Sequence, residues 1–87
     1  MPIIKKEIIV KNKQGLHARP AAMFVQVANK YDSRITLKNN SDEVNGKSIM
    51  GILMLGAEQG SVIIIEAEGE DAPMAIEELE KILTSEE

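Results

Sequence analysis

One short segment contains the side chains best suited to chemistry. His17, the only histidine in the chain, stands two residues before Arg19. A neutral imidazole nitrogen is a nucleophile that needs no general base. The planar, permanently charged guanidinium of Arg19 suits the oxygens of a phosphate. These two residue types are compatible with a site in which His17 carries a phosphoryl group and Arg19 holds it.

The residues after His17 predict a helix whose first turn adds further phosphate ligands. An apolar stripe at helical spacing predicts a helix over residues 18–31; it is formed by Phe24, Val27, Ala28 and Tyr31. Pro20 falls in the first turn, where a backbone N–H has no helical partner to lose. Because a helix start offers free N–H groups and a partial positive charge, we expect Ala18 and Arg19 to bind the phosphoryl group through their backbone.

From residue types alone, a plainer interpretation of this segment stays open. His17 could cap the helix, and Arg19 could be a solvated surface residue. No metal site is expected, because there is no second histidine and no carboxylate cluster close to His17. The chain also has no cysteine, which excludes disulfides, thiolate catalysis, zinc fingers and iron–sulfur clusters.

A second segment predicts a short helix that cannot bury all of its apolar side chains. Ser48 is a good N-cap for a helix over residues 49–55, which Gly56 ends. We expect Ile52 and Leu55 to face a sheet. An apolar patch is then expected to point outward, formed by Ile49, Met50 and Leu53. The alternative is that all these side chains belong to the core. A phosphate on Ser48 would stabilise the start of this helix.

The remaining residues predict four strands and a third helix. Alternating and β-branched residues favour strands over 3–10, 34–38, 43–45 and 61–68, with a tight turn at 39–42. An apolar stripe at helical spacing predicts a last helix from Asp71 or Ala72. The order β-α-β-β-α-β-α is typical of an α+β split βαβ fold, with helices on one face of an antiparallel sheet.

Length and charge limit the classes of function. The 87 residues predict one domain, 1–87. Residues 1–47 carry nine Lys and Arg against four Asp and Glu, and residues 48–87 carry one against ten. This asymmetry is compatible with solvated charged faces, and also with a basic side that meets an acidic partner or a phosphate. Scarce aromatic residues argue against an RNA-binding domain. The sequence shows no cysteine, no signal peptide and no apolar run of membrane length. We therefore expect a cytoplasmic protein that neither inserts into a membrane nor binds nucleic acid.

Two motifs in this order resemble a known family. Gly15-Leu16-His17-Ala18-Arg19-Pro20-Ala21 resembles the active-site signature of HPr, the histidine-containing phosphocarrier protein of the bacterial phosphoenolpyruvate:sugar phosphotransferase system. Lys47-Ser48-Ile49-Met50-Gly51 is similar to the family's second signature, around its regulatory serine. The resemblance covers essentially the whole chain. It implies an open-faced β-sandwich, a four-stranded antiparallel sheet with three helices on one side.

The resemblance also implies a carrier rather than an enzyme, with no cofactor. His17 would accept a phosphoryl group on Nδ1 from phosphorylated enzyme I and pass it to the enzyme IIA unit of a sugar permease, while Arg19 steadies it. The docking surface for both partners would be the patch of Ile49, Met50 and Leu53. Met54 departs from the family pattern and would enlarge this patch. A monomer is expected, since one face must serve two partners in turn.

For Ser48, the resemblance implies regulatory phosphorylation. The run Ser48-Ile49-Met50-Gly51 looks like the Gram-positive pattern, so HPr kinase/phosphorylase and catabolite control protein A are implied partners. Two alternatives stay open. A nitrogen-related phosphocarrier would use the same chemistry for regulation. A regulatory paralogue would act by binding a transcription regulator, but such relatives lack the histidine that stands here as His17.

Overall fold

In the computed structural model, which describes residues 2–40 and 42–86, the chain forms a four-stranded sheet and three helices. The elements are β1 (Ile3–Ile9), α1 (Ala18–Ala28), β2 (Arg34–Asn39), β3 (Asp42–Asn45), α2 (Ile49–Leu55), β4 (Val62–Glu68) and α3 (Ala72–Leu83). All paired strands are antiparallel, in the order β1-β4-β2-β3. The predicted α+β class and element order are confirmed.

Side chains along the strands alternate between a buried face and an open face. In β4, Ile63, Ile65 and Ala67 are buried, while Glu66 and Glu68 between and after them stay partly exposed. Successive residues of a strand point to opposite faces of its sheet. The helices pack on the face that holds the buried residues, and the other face is open to water. This is the predicted open-faced sandwich.

The first helix ends earlier than its apolar stripe predicts. Residues 18–31 were expected to be helical, but α1 ends at Ala28. Both the backbone N–H and the side-chain amide of Asn29 donate to the Val25 carbonyl at 2.9 Å, which caps the helix. The next turn is tighter, because the Tyr31 N–H donates to Ala28 only three residues back. Tyr31 still packs against the core, so it extends the stripe without extending the helix.

The strand boundaries differ from the prediction by one residue at most. Between β2 and β3, Asn40 adopts a left-handed conformation with φ of 56°, which asparagine tolerates well. Ser41, the other connecting residue in the predicted turn, lies outside the described residues. The short connection makes β2 and β3 a hairpin. In the strand order β1-β4-β2-β3, β3 forms one edge of the sheet.

The third helix begins after Asp71, as predicted, and buries the predicted stripe of Ala72, Ala75, Ile76, Leu79, Ile82 and Leu83. The Asp71 carboxylate accepts hydrogen bonds from the Ser33 hydroxyl and from the backbone N–H groups of Asp32 and Ser33. These bonds hold the pKa of Asp71 below its ordinary value. Their stabilisation is therefore present at neutral pH and lost as the pH falls through the pKa of Asp71. None of the described helices has the length and apolar composition to cross a membrane.

Candidate phosphoryl-carrier site

His17 lies at the N-cap position of α1, directly before the first helical residue. Its side chain forms no capping hydrogen bond. Within residues 2–40 and 42–86, the half-buried imidazole has no hydrogen-bond partner at either ring nitrogen. His17 therefore occupies the N-cap position without capping the helix through its side chain, and Arg19 is exposed, as the plainer interpretation also expects.

The two residues before His17 fix the position of the loop that carries it. Gly15 has a positive φ of 72°, and a Cβ at this position would collide with the Ala57 carbonyl oxygen. Leu16 is buried, and its N–H donates to the same Ala57 oxygen at 2.9 Å. Only glycine combines this conformation with such close approach. The Gly-Leu-His order thus anchors the loop against the chain that follows α2 and leaves His17 at the surface.

The first turn of α1 leaves backbone N–H groups unpaired, as the sequence predicts. The Ala21 N–H donates to the His17 carbonyl at 3.0 Å. In the described part of the chain, the N–H groups of Ala18 and Arg19 have no acceptor. Two donors therefore remain at the positive end of the helix, in the turn that follows the imidazole.

The basic side chains beside His17 are not neutralised by described acidic residues. Elsewhere, four lysines form ion pairs with glutamates: Lys5, Lys6, Lys30 and Lys38. Lys13 and Arg19 have no such ion pair in segments 2–40 and 42–86, and both line a surface hollow of about 270 Å³ that also contains His17. This uncompensated positive charge suits an anion.

Several residues of the hollow were not singled out by the sequence. They are Asn12, Lys13, Gln14, Met23, Ile82 and Ser85. Four of them precede or follow His17 in the chain by a few residues, but Ile82 lies in the last turn of α3 and Ser85 lies just beyond that helix. No motif signals this contact, because it depends on how α3 packs beside β1 and α1.

The outward side of α2 matches the predicted patch. Ile52 and Leu55 are buried, whereas an exposed row comprises Ile49, Met50, Leu53 and Met54. The alternative that all these side chains belong to the core is therefore wrong. Because α2 packs against α1, this row lies on the helix next to the one that begins after His17. Met23, exposed on α1, lies in the hollow and adds apolar surface.

Ser48 is the N-cap of α2, as predicted. Its hydroxyl oxygen accepts a hydrogen bond from the Gly51 N–H at 3.0 Å. The helix ends at Gly56, which adopts a left-handed conformation with φ of 64°. Ser48 is half-buried and directly precedes Ile49, the first residue of the exposed row.

Comparison with known proteins decides the family of this chain. The family described as PTS HPr component phosphorylation site matches residues 4–85. The chain belongs to the HPr family. The phosphocarrier protein HPr of Xylella fastidiosa (strain 9a5c) is 45% identical over 80 residues, covering 92% of this chain and 90% of that protein. The crystal structure of HPr from Bacillus anthracis superposes with a TM-score of 0.90 at 43% identity, covering 95% of this chain and 99% of that one.

The HPr family also contains relatives with another name. The HPr-like protein Crh of Halalkalibacterium halodurans is 46% identical over 77 residues, covering 88% of this chain and 92% of that protein. The chain is thus about equally similar to this Crh and to the Xylella HPr. Overall identity does not separate the two kinds of HPr relative, and the distinction depends on individual residues.

Proposed function

We propose that this HPr family member carries a phosphoryl group on Nδ1 of His17, accepting it from phosphorylated enzyme I and giving it to enzyme IIA units of sugar permeases. The observation that carries the proposal is an imidazole without a hydrogen-bond partner among the described residues, in a hollow lined by Arg19 and Lys13, which form no ion pair with those residues. Such transfer needs in-line placement and charge stabilisation more than covalent help. This function belongs to the cytoplasm, which supplies phosphoenolpyruvate.

Each group in the site has one task in the proposed transfer. The lone pair of His17 Nδ1 attacks phosphorus, and the bond between phosphorus and the donor breaks, with its electron pair leaving on the donor. The free N–H groups of Ala18 and Arg19 and the Arg19 guanidinium bind the phosphoryl oxygens. Passing the group to enzyme IIA repeats the step in reverse, with His17 as the leaving group.

Phosphorus NMR tests this proposal directly. The protein is mixed with phosphoenolpyruvate and a catalytic amount of enzyme I, and the spectrum is recorded before and after mild acid treatment. We expect a resonance typical of phosphohistidine that acid removes, because a P–N bond is acid-labile. An acid-stable signal only, or no protein-bound phosphorus, would contradict the proposed function.

We propose that the exposed row on α2, with Ile49, Met50 and Leu53 at its centre, docks enzyme I and enzyme IIA in turn. The support is that these apolar side chains are exposed on a helix that packs against α1, the helix that begins after His17. A small apolar patch with a basic rim suits brief contacts that must be released after each transfer. One such face serves both partners, so we propose that the carrier acts as a monomer.

The chain offers a matched pair of methionines to test this docking surface. Met50 on α2 and Met74 on α3 are each 66% exposed. Glutamine has a similar shape but a polar end, so Met50→Gln should raise the KM for enzyme I about tenfold through lost apolar contact. Met74→Gln should leave this KM unchanged. Steady-state phosphorylation assays at varied enzyme I concentration measure both, and equal KM values for the two variants would contradict the docking proposal.

We propose that Ser48 is a regulatory phosphorylation site, with HPr kinase/phosphorylase as its modifying enzyme and catabolite control protein A as a partner of the phosphorylated form. Its position supports this, because its hydroxyl lies at the start of α2 and borders the exposed row. A phosphate there adds about −1.5 to −2 charges at pH 7 and is favourable at a helix start. The fold tolerates the charge, while an acidic partner that docks beside it is repelled.

Two substitutions of Ser48 distinguish its role as the N-cap of α2 from the effect of a negative charge at this position. Aspartate and asparagine are both good N-caps, so Ser48→Asp and Ser48→Asn should each keep the Tm near that of the native chain. Only Ser48→Asp should slow phosphorylation of His17 by enzyme I, mainly through slower association. The slowing should shrink between low and high salt, because exposed charges are screened. If Ser48→Asp reacts at the rate of Ser48→Asn at low salt, Ser48 acts only as a cap.

Similarity to Crh favours a second candidate, a regulatory paralogue that acts mainly by binding a transcription regulator. The nitrogen-related carrier stays a variant of the first proposal, with other acceptors for the same phosphoryl group. The presence of His17, whose ring has no hydrogen-bond partner among the described residues, supports the carrier, since a pure regulator does not need this side chain. Partner capture with purified enzyme IIA proteins separates the sugar and nitrogen branches.

A further inference from the structure

Asn12 is a buried polar residue in the hollow that contains His17. Its side chain is 2% exposed, and its amide nitrogen donates to the carbonyls of Ile82 at 3.0 Å and Ser85 at 2.9 Å. The backbone is held on both sides, because the Lys11 N–H donates to Leu83 at 2.9 Å and the Gly15 N–H donates to Asn12 at 3.0 Å. Asn12 thus joins the loop that leads to His17 to the end of α3.

These contacts fix the orientation of the Asn12 amide. Only the NH₂ group of the amide can donate hydrogen bonds to two carbonyl oxygens, so the flipped amide orientation is excluded. The side-chain oxygen Oδ1 therefore lies on the other side of the amide. It is buried and has no hydrogen-bond partner in segments 2–40 and 42–86. A buried acceptor without a donor costs stability, and such groups concentrate at functional sites or beside bound water.

A donor without an acceptor lines the same hollow. A neutral imidazole carries one N–H, and the ring of His17 has no partner within the described segments. We propose that Asn12 is a positioning residue whose Oδ1 accepts a hydrogen bond from Nε2–H of His17 when the ring turns towards it. Asn12 thereby keeps the proton on Nε2 and leaves Nδ1 bare. This inference rests on the proposed function of His17.

The proposed bond becomes stronger as the phosphoryl group arrives. When the Nδ1 lone pair forms the bond to phosphorus, the ring gains positive charge and keeps its proton on Nε2. A hydrogen bond from a charged donor is stronger than one from a neutral donor. Oδ1 of Asn12 therefore stabilises the loaded ring more than the empty one, which speeds loading of His17.

The Asn12→Ala variant removes the acceptor together with the contacts to Ile82 and Ser85. We expect ring nitrogen NMR to show His17 as the Nε2–H form in the native chain and as a mixture of both tautomers in Asn12→Ala. Because Asn12 is buried, phosphorylation of Asn12→Ala should show a kcat lower by on the order of tenfold and an unchanged KM for enzyme I.

Asp71→Ala is the control for a general loss of stability, because it removes contacts at the opposite end of α3. It should leave the His17 tautomer and kcat unchanged. The inference is overturned if Asn12→Ala keeps the native tautomer, or if Asp71→Ala lowers kcat equally. A native chain that accepts no phosphoryl group would contradict the proposed function, while the tautomer measurement on the free protein would still test Asn12.

Discussion

The His17→Ala variant should fold normally and accept no phosphoryl group from phosphoenolpyruvate and enzyme I. The fold should survive because the His17 side chain is half-buried, caps nothing and has no hydrogen-bond partner in the described segments. We expect a Tm within about 4 °C of the native value, as for substitutions away from the core. Labelling should be abolished because the chain has no second histidine and no cysteine.

The measurement is labelling with radioactive phosphoenolpyruvate and enzyme I, combined with thermal unfolding of the same samples. Acid stability provides the control, since phosphate on Ser48 is acid-stable whereas phosphate on His17 is not. Normal acid-labile labelling of His17→Ala would contradict the mechanism at its centre. A variant that fails to unfold cooperatively would show that His17 has a structural role that its contacts do not indicate.

The Arg19→Ala variant should slow transfer to His17 by on the order of 10²-fold, the usual effect of removing a donor that stabilises developing charge. The Arg19 guanidinium is exposed, lines the hollow and has no ion pair with described residues, so little of it is committed to the fold. Arg19→Lys should recover only part of the rate, because lysine keeps the charge but lacks the planar fork. Single-turnover rates with phosphorylated enzyme I should decrease from the native chain to Arg19→Lys and then to Arg19→Ala.

Arg34 offers a matched control for Arg19. It is an exposed arginine on β2, next to buried Ile35 and therefore on the open face of the sheet. Arg34→Ala changes the net charge by the same amount as Arg19→Ala but should leave the transfer rate nearly unchanged. Equal slowing in both variants would mean that overall charge, rather than contact with the phosphoryl group, explains the role of Arg19.

Much of the molecule follows from short-range sequence patterns. Period-two and period-3.6 spacing of apolar residues predicts every strand and helix in order, and it predicts which residues of β4 and α3 are buried. The N-cap at Ser48 depends on Gly51, three residues further along the chain, so the sequence indicates it directly. Local hydrogen bonds and side-chain alternation are the physical cause in each case.

The tertiary structure alone decided three other features. The apolar stripe up to Tyr31 does not show that α1 ends at Ala28, because Tyr31 packs on the core from a tighter turn. Spacing in a seven-residue helix left open whether Met50 is core or surface, and packing of α2 on its neighbours left it exposed. The burial of Asn12 requires carbonyls about 70 residues further along the chain. Each depends on contacts between elements distant in sequence, which no local pattern encodes.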